Sequence, residues 1–257
     1  MIKFITLTNS GYKDYTLNCL KSLERIKCPQ TLHSYCIGKD GYDILKSKKY
    51  ECTLIDDEKN SNFQTFRNGN WSNITYYKFK IIHDNLLTNE YVCFTDGDII
   101  YRNNKIFNYL LDNISDNDLL IQNELLDDNN DKTLGSGFMF IKSNPNTISI
   151  FNPDEVESFK DTLGWDDEVY VNEVKNKLKF KMLPLKLFPN GKYFYENSKK
   201  INPYLIHFNW IVGDKKKRQM VYFGGWYLPL SKEEEEKFNY IFRKIHGKDY
   251  IHKPILL

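Results

Sequence analysis

Tyr91-Val92-Cys93-Phe94-Thr95-Asp96-Gly97-Asp98-Ile99-Ile100 is the stretch on which the fold turns. Uncharged, β-branched and aromatic residues up to Thr95 predict a short, fully buried strand. That strand runs directly into two carboxylates separated by one glycine. Two acids at the end of a buried strand repel each other and resist desolvation unless a cation lies between them. Oxygen ligands of this kind suit Mg2+ or Mn2+, ions that also bridge diphosphate oxygens. Asp-Gly-Asp is equally ordinary turn chemistry, so the metal reading needs support from elsewhere in the chain.

Upstream, short apolar runs alternate with amphipathic stretches. Phe4 to Leu7 predicts a buried strand, Thr8-Asn9-Ser10-Gly11 a turn, and Tyr12 to Ile26 a helix. His33 to Ile37 and Cys52 to Ile55 read as further strands, with a helix from Tyr42 to Lys48 between them. Ile74, Tyr77 and Ile81 share one face of a helix running to Leu87. Strands alternating with helices imply a parallel sheet with right-handed crossovers, in which ligands gather at strand C-terminal ends.

Downstream, Gly137 to Ile141 predicts a strand and Asp167 to Asn176 a helix. Ser231-Lys232-Glu233-Glu234 is a capping box opening a helix with the stripe Phe238, Ile241 and Ile245, ending near Gly247. The acid run Glu233 to Glu236 then faces the positive end of that helix. Tyr204-Leu205-Ile206-His207-Phe208-Asn209-Trp210 embeds a histidine in an apolar segment. A histidine so placed is often only a satisfied core residue, and Lys215 to Arg218 alone would read as a solvated face. Taken with the two acids, His207 becomes a third metal ligand, and the lysines after Gly213 become partners for phosphate.

Composition bounds the rest. With 36 Lys and Arg against 34 Asp and Glu in 257 residues, no global charge recruits nucleic acid or membrane. No apolar run is long enough to span a bilayer, and the N-terminus lacks the pattern of a signal peptide. The five cysteines fit neither a disulfide framework nor a zinc site and read as buried reduced thiols. A cytoplasmic chain follows as an expectation, with the sequons at Asn70, Asn73 and Asn113 unused. Abundant Asn, Lys, Ile, Tyr and Phe suggest an AT-rich genome such as that of a large virus or low-GC microbe. With no repeat or linker, residues 1–257 are expected to form one unit: 1–100 a nucleotide-binding half, 101–257 a half that holds the acceptor and completes the metal site.

Ordered motifs connect these pieces. Lys78 lies eighteen positions before Asp96, followed by Leu86-Leu87 and Asp96-Gly97-Asp98. Then come Gly135-Ser136-Gly137-Phe138-Met139-Phe140, Asp167-Glu168 with Asn172, Leu183-Pro184, Phe188-Pro189-Asn190-Gly191, and His207-Phe208-Asn209 with Gly213 and Lys217. In this order the chain resembles the DxD-containing nucleotide-diphospho-sugar transferases of the GT-A fold, in the group that includes plant rhamnogalacturonan xylosyltransferases. It departs at Gly97, where the family often has Val and a more rigid loop, and at Glu168, where Gln is usual.

The resemblance implies an α/β GT-A fold: a Rossmann-like, mostly parallel sheet flanked by helices. It implies transfer of a sugar from a nucleotide diphosphate donor, a UDP-sugar, to a glycan, protein or small-molecule acceptor, with anomeric configuration retained. Asp98 and His207 are expected to ligate Mn2+ or Mg2+, with Asp96 a third ligand or a contact to ribose, sugar or metal-bound water. Lys217, with Lys216 behind it, is expected at the leaving diphosphate, and Lys78 at the donor sugar or phosphate. Asp167 is expected at the sugar hydroxyls or the acceptor, Gly97 and Gly213 beside the donor, and Thr8, Asn9 and Tyr12 in a uridine pocket. Asp166 after Gly164-Trp165 has a capping alternative, and Trp165, Trp210 and Trp226 read more readily as core than as sugar platforms. Two rivals use similar residues: a nucleotidyltransferase or nucleotide-sugar pyrophosphorylase, and a non-enzymatic sugar- or nucleic-acid-binding module. Thr8 to Gly11 is a poor phosphate loop for the first, and the second leaves the strand-end acids unexplained.

Overall fold

The computed structural model describes residues 1–62, 71–128, 133–159 and 166–246. Gly164, Trp165 and Gly247 lie outside them. In chain order the elements are β1 (Ile2–Thr8), α1 (Lys13–Arg25), β2 (Leu32–Ile37), α2 (Lys39–Ser47), β3 (Cys52–Ile55), α3 (Trp71–Leu86), β4 (Tyr91–Thr95), β5 (Ile99–Tyr101) and α4 (Ile106–Ile114). They continue with β6 (Leu119–Asn123), β7 (Leu134–Lys142), α5 (Pro145–Ile150), α6 (Pro153–Glu157), α7 (Asp167–Val174), β8 (Phe180–Leu183), α8 (Gly191–Asn197), β9 (Leu205–His207), α9 (Asp214–Tyr222) and α10 (Lys232–His246).

Seven strands form the main sheet in the order β3-β2-β1-β4-β7-β6-β8. All neighbours run parallel except β7, which is antiparallel to both β4 and β6. The strand sequence explains why both faces are covered. Phe4, Cys93, Leu120, Phe138 and Phe140 pack with Leu17, Leu20 and Leu110 on one side. Their neighbours Ile5, Val92, Phe94, Ile121, Met139 and Ile141 pack with Phe79, Ile82 and Val171 on the other. Successive side chains point to opposite faces, and both faces meet helices, so the strands are continuously apolar rather than alternating.

The chain leaves β1 outward to β2 and β3, then returns through α3 to β4 on the other side of β1. The order reverses there, and the C-terminal ends of β1 and β4 flank the crevice where doubly wound sheets bind ligands. Thr8-Asn9 and Asp96 are the residues at its rim. A second sheet pairs β5 antiparallel with β9, Ile99 opposite His207, over a small cluster that includes Ile100, Phe194, Phe208 and Met220.

Two local expectations change. α2 starts at Lys39 rather than Tyr42, because Gly38 takes a positive φ of 78° and turns the chain one residue after β2. In α10 the buried residues are Phe238 and Phe242, one turn apart, while Ile245 is 64% exposed. The capping box that opens α10 is present as reciprocal bonds between Ser231 and Glu234. The five cysteines are unbonded, three of them buried. Among the described residues, no helix is long and apolar enough to cross a membrane.

Candidate active site and metal centre

Asp96 and Asp98 occupy the turn between β4 and β5. The Asp96 N–H donates to the Gly137 carbonyl at 2.7 Å, continuing the β4–β7 ladder by one rung. Beyond the turn, the Phe208 N–H donates to the Asp98 carbonyl at 3.1 Å, and the β5–β9 ladder places His207 beside the two acids. One ligand atom from each of Asp96, Asp98 and His207 lies within 4.8 Å of the others. His207 Nε2 is 3.3 Å from Asp98 Oδ1 and 3.7 Å from Asp96 Oδ2.

The imidazole is oriented by Gln122 on β6, a residue the sequence did not single out. The Gln122 amide nitrogen donates to the Phe188 and Pro189 carbonyls at 3.2 and 3.0 Å, which fixes the oxygen on the opposite side. That oxygen lies 2.7 Å from His207 Nδ1. Nδ1 must therefore carry the proton, and in the neutral ring the Nε2 lone pair faces the carboxylates. A ligand histidine held by a hydrogen bond on its other nitrogen is the arrangement metal sites use. The donor set of two carboxylates and one imidazole, with Nε2 turned toward the acids, fits a divalent cation.

Gly137 makes this approach possible. A Cβ at that position would lie 2.2 Å from His207 Cε1 and 2.8 Å from Asp96 Oδ2. The Gly135-Ser136-Gly137 pattern thus lets the sheet backbone come against the site.

Two buried lysines balance the acids. Lys216 contacts Asp98 Oδ2 directly, and Lys78 on α3 bridges Asp96 Oδ1 at 3.1 Å and the Asp167 carboxylate. Ser136 also donates to Asp167, at 2.6 Å. Burial by itself would raise the Asp98 carboxyl, but Lys216 and His207 hold it well below the usual carboxylate range. Burial likewise works against Asp167, which Lys78 and Ser136 keep low. At Asp96 burial prevails over Lys78 and His207, and the carboxyl is raised. The most buried acid thus stays ionised beside one ammonium, while its neighbour is more easily protonated.

The other expected residues divide between the site and its scaffold. Tyr12 joins the site, its hydroxyl 3.4 Å from Lys216 Nζ. Thr8 and Asn9 sit at the crevice rim with their side chains used internally: Thr16 donates to Thr8 at 2.9 Å, and Asn9 donates to the Asn62 carbonyl and accepts from the Tyr12 N–H. Gly97 is a packing requirement rather than a source of flexibility, since a Cβ there would lie 2.5 Å from Thr16 Oγ1. Gly213, with φ 59°, turns the chain into α9 and so aims Lys216 inward. Asp166 caps α7 by accepting from the Val169 N–H, leaving Asp167 as the acid directed to the site.

Lys217 is not brought to the acid pair: it bonds Glu234 on α10 at 2.5 Å and lies over the Trp226 ring. One residue along a helix rotates the side chain by about 100°, and the buried partner of Asp98 is Lys216. Asn172 ties α7 to β7, its side-chain oxygen accepting from the Leu134 N–H and its amide nitrogen donating to the Leu134 carbonyl. Glu124, also missed, follows β6 beside His207. Asn209 donates to both of its oxygens at 2.9 and 3.0 Å, and burial pushes its carboxyl up to about 7.

Known proteins give the same picture. A family model described as nucleotide-diphospho-sugar transferase matches residues 36–221. A UDP-galactose:fucoside alpha-3-galactosyltransferase of Dictyostelium discoideum is 24% identical over 88% of this chain, and the match spans 43% of that relative's length. Among solved structures, the galactosyltransferase LgtC, crystallised with donor and acceptor sugar analogs, matches 92% of this chain and 100% of its own at TM-score 0.61 and 14% identity. The glycosyltransferase GlyE of Streptococcus pneumoniae matches 95% of this chain and 64% of its own at TM-score 0.57 and 15% identity. At these identities the solved structures speak for the GT-A-like fold, and the family model covers most of the chain, including all of the sheet from β3 onward and both halves of the acid–histidine site. The chain belongs to the nucleotide-diphospho-sugar transferase family.

Proposed function

We propose that this chain transfers a sugar from a uridine diphosphate donor to a hydroxyl acceptor, using a divalent cation held by Asp96, Asp98 and His207. The observation that carries this reading is the convergence of those three ligands at the sheet's switch point, with Nε2 of His207 turned toward the acids by Gln122. An ion of the Mg2+ or Mn2+ class in that position supplies Lewis-acid stabilisation to a departing diphosphate.

The remaining roles belong to the chain's own side chains. Lys216, on the first turn of α9, neutralises Asp98 and is placed to meet negative charge growing on the leaving group. Tyr12 borders the same ammonium and forms one wall of the nucleotide side. Lys78 and Ser136 fix Asp167, which is presented to the hydroxyls of the donor sugar. The family resemblance favours retention of configuration.

The test is incubation with a series of nucleotide sugars, with Mn2+ or with EDTA, following released nucleoside diphosphate. Mn2+-dependent release from one donor is expected. The Dictyostelium relative's name makes UDP-galactose the first donor to try and a fucoside the first acceptor. Pyrophosphate release from a nucleoside triphosphate and a sugar phosphate, or no turnover with any donor, would overturn the reading.

A further inference from the structure

The corner that follows β9 carries an exposed indole in a constrained backbone. Trp210 is 53% exposed, the only tryptophan among the large exposed apolar side chains of the described residues. Its φ is 66°, a left-handed conformation that a bulky residue adopts only when its surroundings impose it. Those surroundings are visible. The Gly191 N–H donates to Asn209 Oδ1 at 2.6 Å, and the Tyr195 hydroxyl donates to the Asn209 carbonyl at 3.4 Å. A Cβ on Gly191 would lie 2.3 Å from that carbonyl. The corner is held from two sides, and the ring it carries is kept out of the core.

The indole is not isolated from the chemistry. It lies three residues after His207 and directly follows Asn209, whose amide donates to both oxygens of the Glu124 carboxylate. Glu124 sits tightly against the sheet, its Oε2 only 2.7 Å from where a Gly135 Cβ would be. Lys192 Nζ covers one ring face, 5.2 Å from the centroid. The exposure therefore falls on the other face and on the ring edge.

An apolar plate with a carboxylate at its margin is complementary to a pyranose ring, which offers C–H groups on one face and hydroxyl donors around its rim. We infer that Trp210 and Glu124 form the acceptor subsite, where a pyranoside lays its C–H face on the indole and a ring hydroxyl donates to the Glu124 carboxylate. The inference rests on the sugar-transfer reading above and specifies its acceptor as a sugar. Tyr12 and Lys216 serve the nucleotide side, leaving the Trp210 corner for the second substrate.

The experiment compares wild type, Trp210→Ala and Trp210→Phe for binding of methyl β-galactoside, methyl β-glucoside, methyl β-xyloside and methyl α-fucoside. Saturation-transfer NMR with UDP and Mn2+ present reads binding, and acceptor KM is measured where turnover is found. At least one pyranoside should bind wild type, with transfer strongest at its ring C–H protons. Its affinity should fall about tenfold in Trp210→Ala and by less than about threefold in Trp210→Phe, with KM changing more than kcat. Binding of none of the four to wild type, equal binding to Trp210→Ala, or equal losses in the Ala and Phe variants would overturn the subsite. Donor hydrolysis by the wild-type enzyme without acceptor tests the transfer reading separately, so either can fail alone.

Discussion

The ammonium of Lys216 lies against the carboxylate of Asp98, 118 positions earlier in the chain, with both side chains almost fully buried. A cation built into the protein thus already serves one of the acids proposed to ligate the divalent ion. Removing that ammonium should free Asp98 for the ion while taking away a partner of the diphosphate. Lys216→Met is expected to bind Mn2+ about tenfold more tightly than wild type without nucleotide, and UDP more weakly with it. Electron paramagnetic resonance of free Mn2+ measures the first and calorimetry the second. Unchanged Mn2+ affinity would mean that Lys216 and the ion do not share the carboxylate.

The neighbouring lysine supplies the contrast. Lys217 pairs with Glu234 at the α9–α10 contact and is partly exposed. Lys217→Ala should cost less than about 1 kcal/mol of stability and leave donor hydrolysis within a few-fold of wild type. A loss of turnover as deep as that of Lys216→Met would return the leaving-group role to Lys217.

Gln122 reaches the metal centre only through His207, while its amide nitrogen holds the Phe188 and Pro189 carbonyls, so metal affinity is to be read beside thermal stability. Gln122→Leu keeps the bulk of the buried side chain but removes the acceptor for Nδ1–H. A 10- to 100-fold weaker Mn2+ affinity is expected, in line with the usual effect of losing such an orienting partner. Direct Mn2+ titration gives the value, and an unchanged affinity would remove Gln122 from the metal centre.

Gly137→Ala tests the close approach of the backbone. The new methyl would overlap His207 and the Asp96 carboxylate. About 1–3 kcal/mol of stability should be lost through overpacking, together with the metal. Thermal denaturation with and without Mn2+ is the measurement: the stabilisation that Mn2+ gives wild type should vanish in the variant.

Glu124 gives the metal-free protein a pH dependence of defined sign. Its carboxyl is raised from 4.5 to about 7, with burial the first cause. The folded chain then holds a proton that the unfolded chain releases, so the contribution of Glu124 to stability is full below about 4.5 and is lost as pH climbs to about 7. This one group accounts for up to about 3 kcal/mol across that window. Denaturation of wild type and Glu124→Gln in EDTA, from below pH 4.5 to above pH 7, should show the variant gaining on wild type as pH rises. Parallel profiles would show that Glu124 titrates normally.

The sequence made some layers plain and concealed others for physical reasons. The central strands were legible because burial on both faces makes them uniformly apolar, as in Val92-Cys93-Phe94. The acids were legible because charge at the end of such a strand demands an explanation. β5 and β9 are three-residue ladders, too short for any periodicity, yet they bring His207 to the acids. That histidine was legible only in company: an imidazole in an apolar segment took its meaning from the two acids and the lysines after Gly213, and the family order then agreed. Gln122 is an uncharged amide within an apolar strand, and its role depends on two carbonyls of a distant loop. Lys216 and Lys217 cannot be ranked in a run of basic residues until the phase of α9 is known. Glu124 reads as an ordinary turn acid until Asn209 closes over it.

The three-rung ladder between Ile99–Tyr101 and Leu205–His207 also governs when the pocket comes into being. It joins segments roughly a hundred positions apart, and contacts of such separation close late because the intervening chain must first be ordered. During synthesis the acid turn emerges long before its imidazole, and until the C-terminal third arrives the carboxylates have neither His207 nor Lys216. On the proposed metal centre, ion capture therefore waits for the Leu205–His207 segment, and a truncation ahead of Leu205 would keep most of the sheet but lose the imidazole ligand.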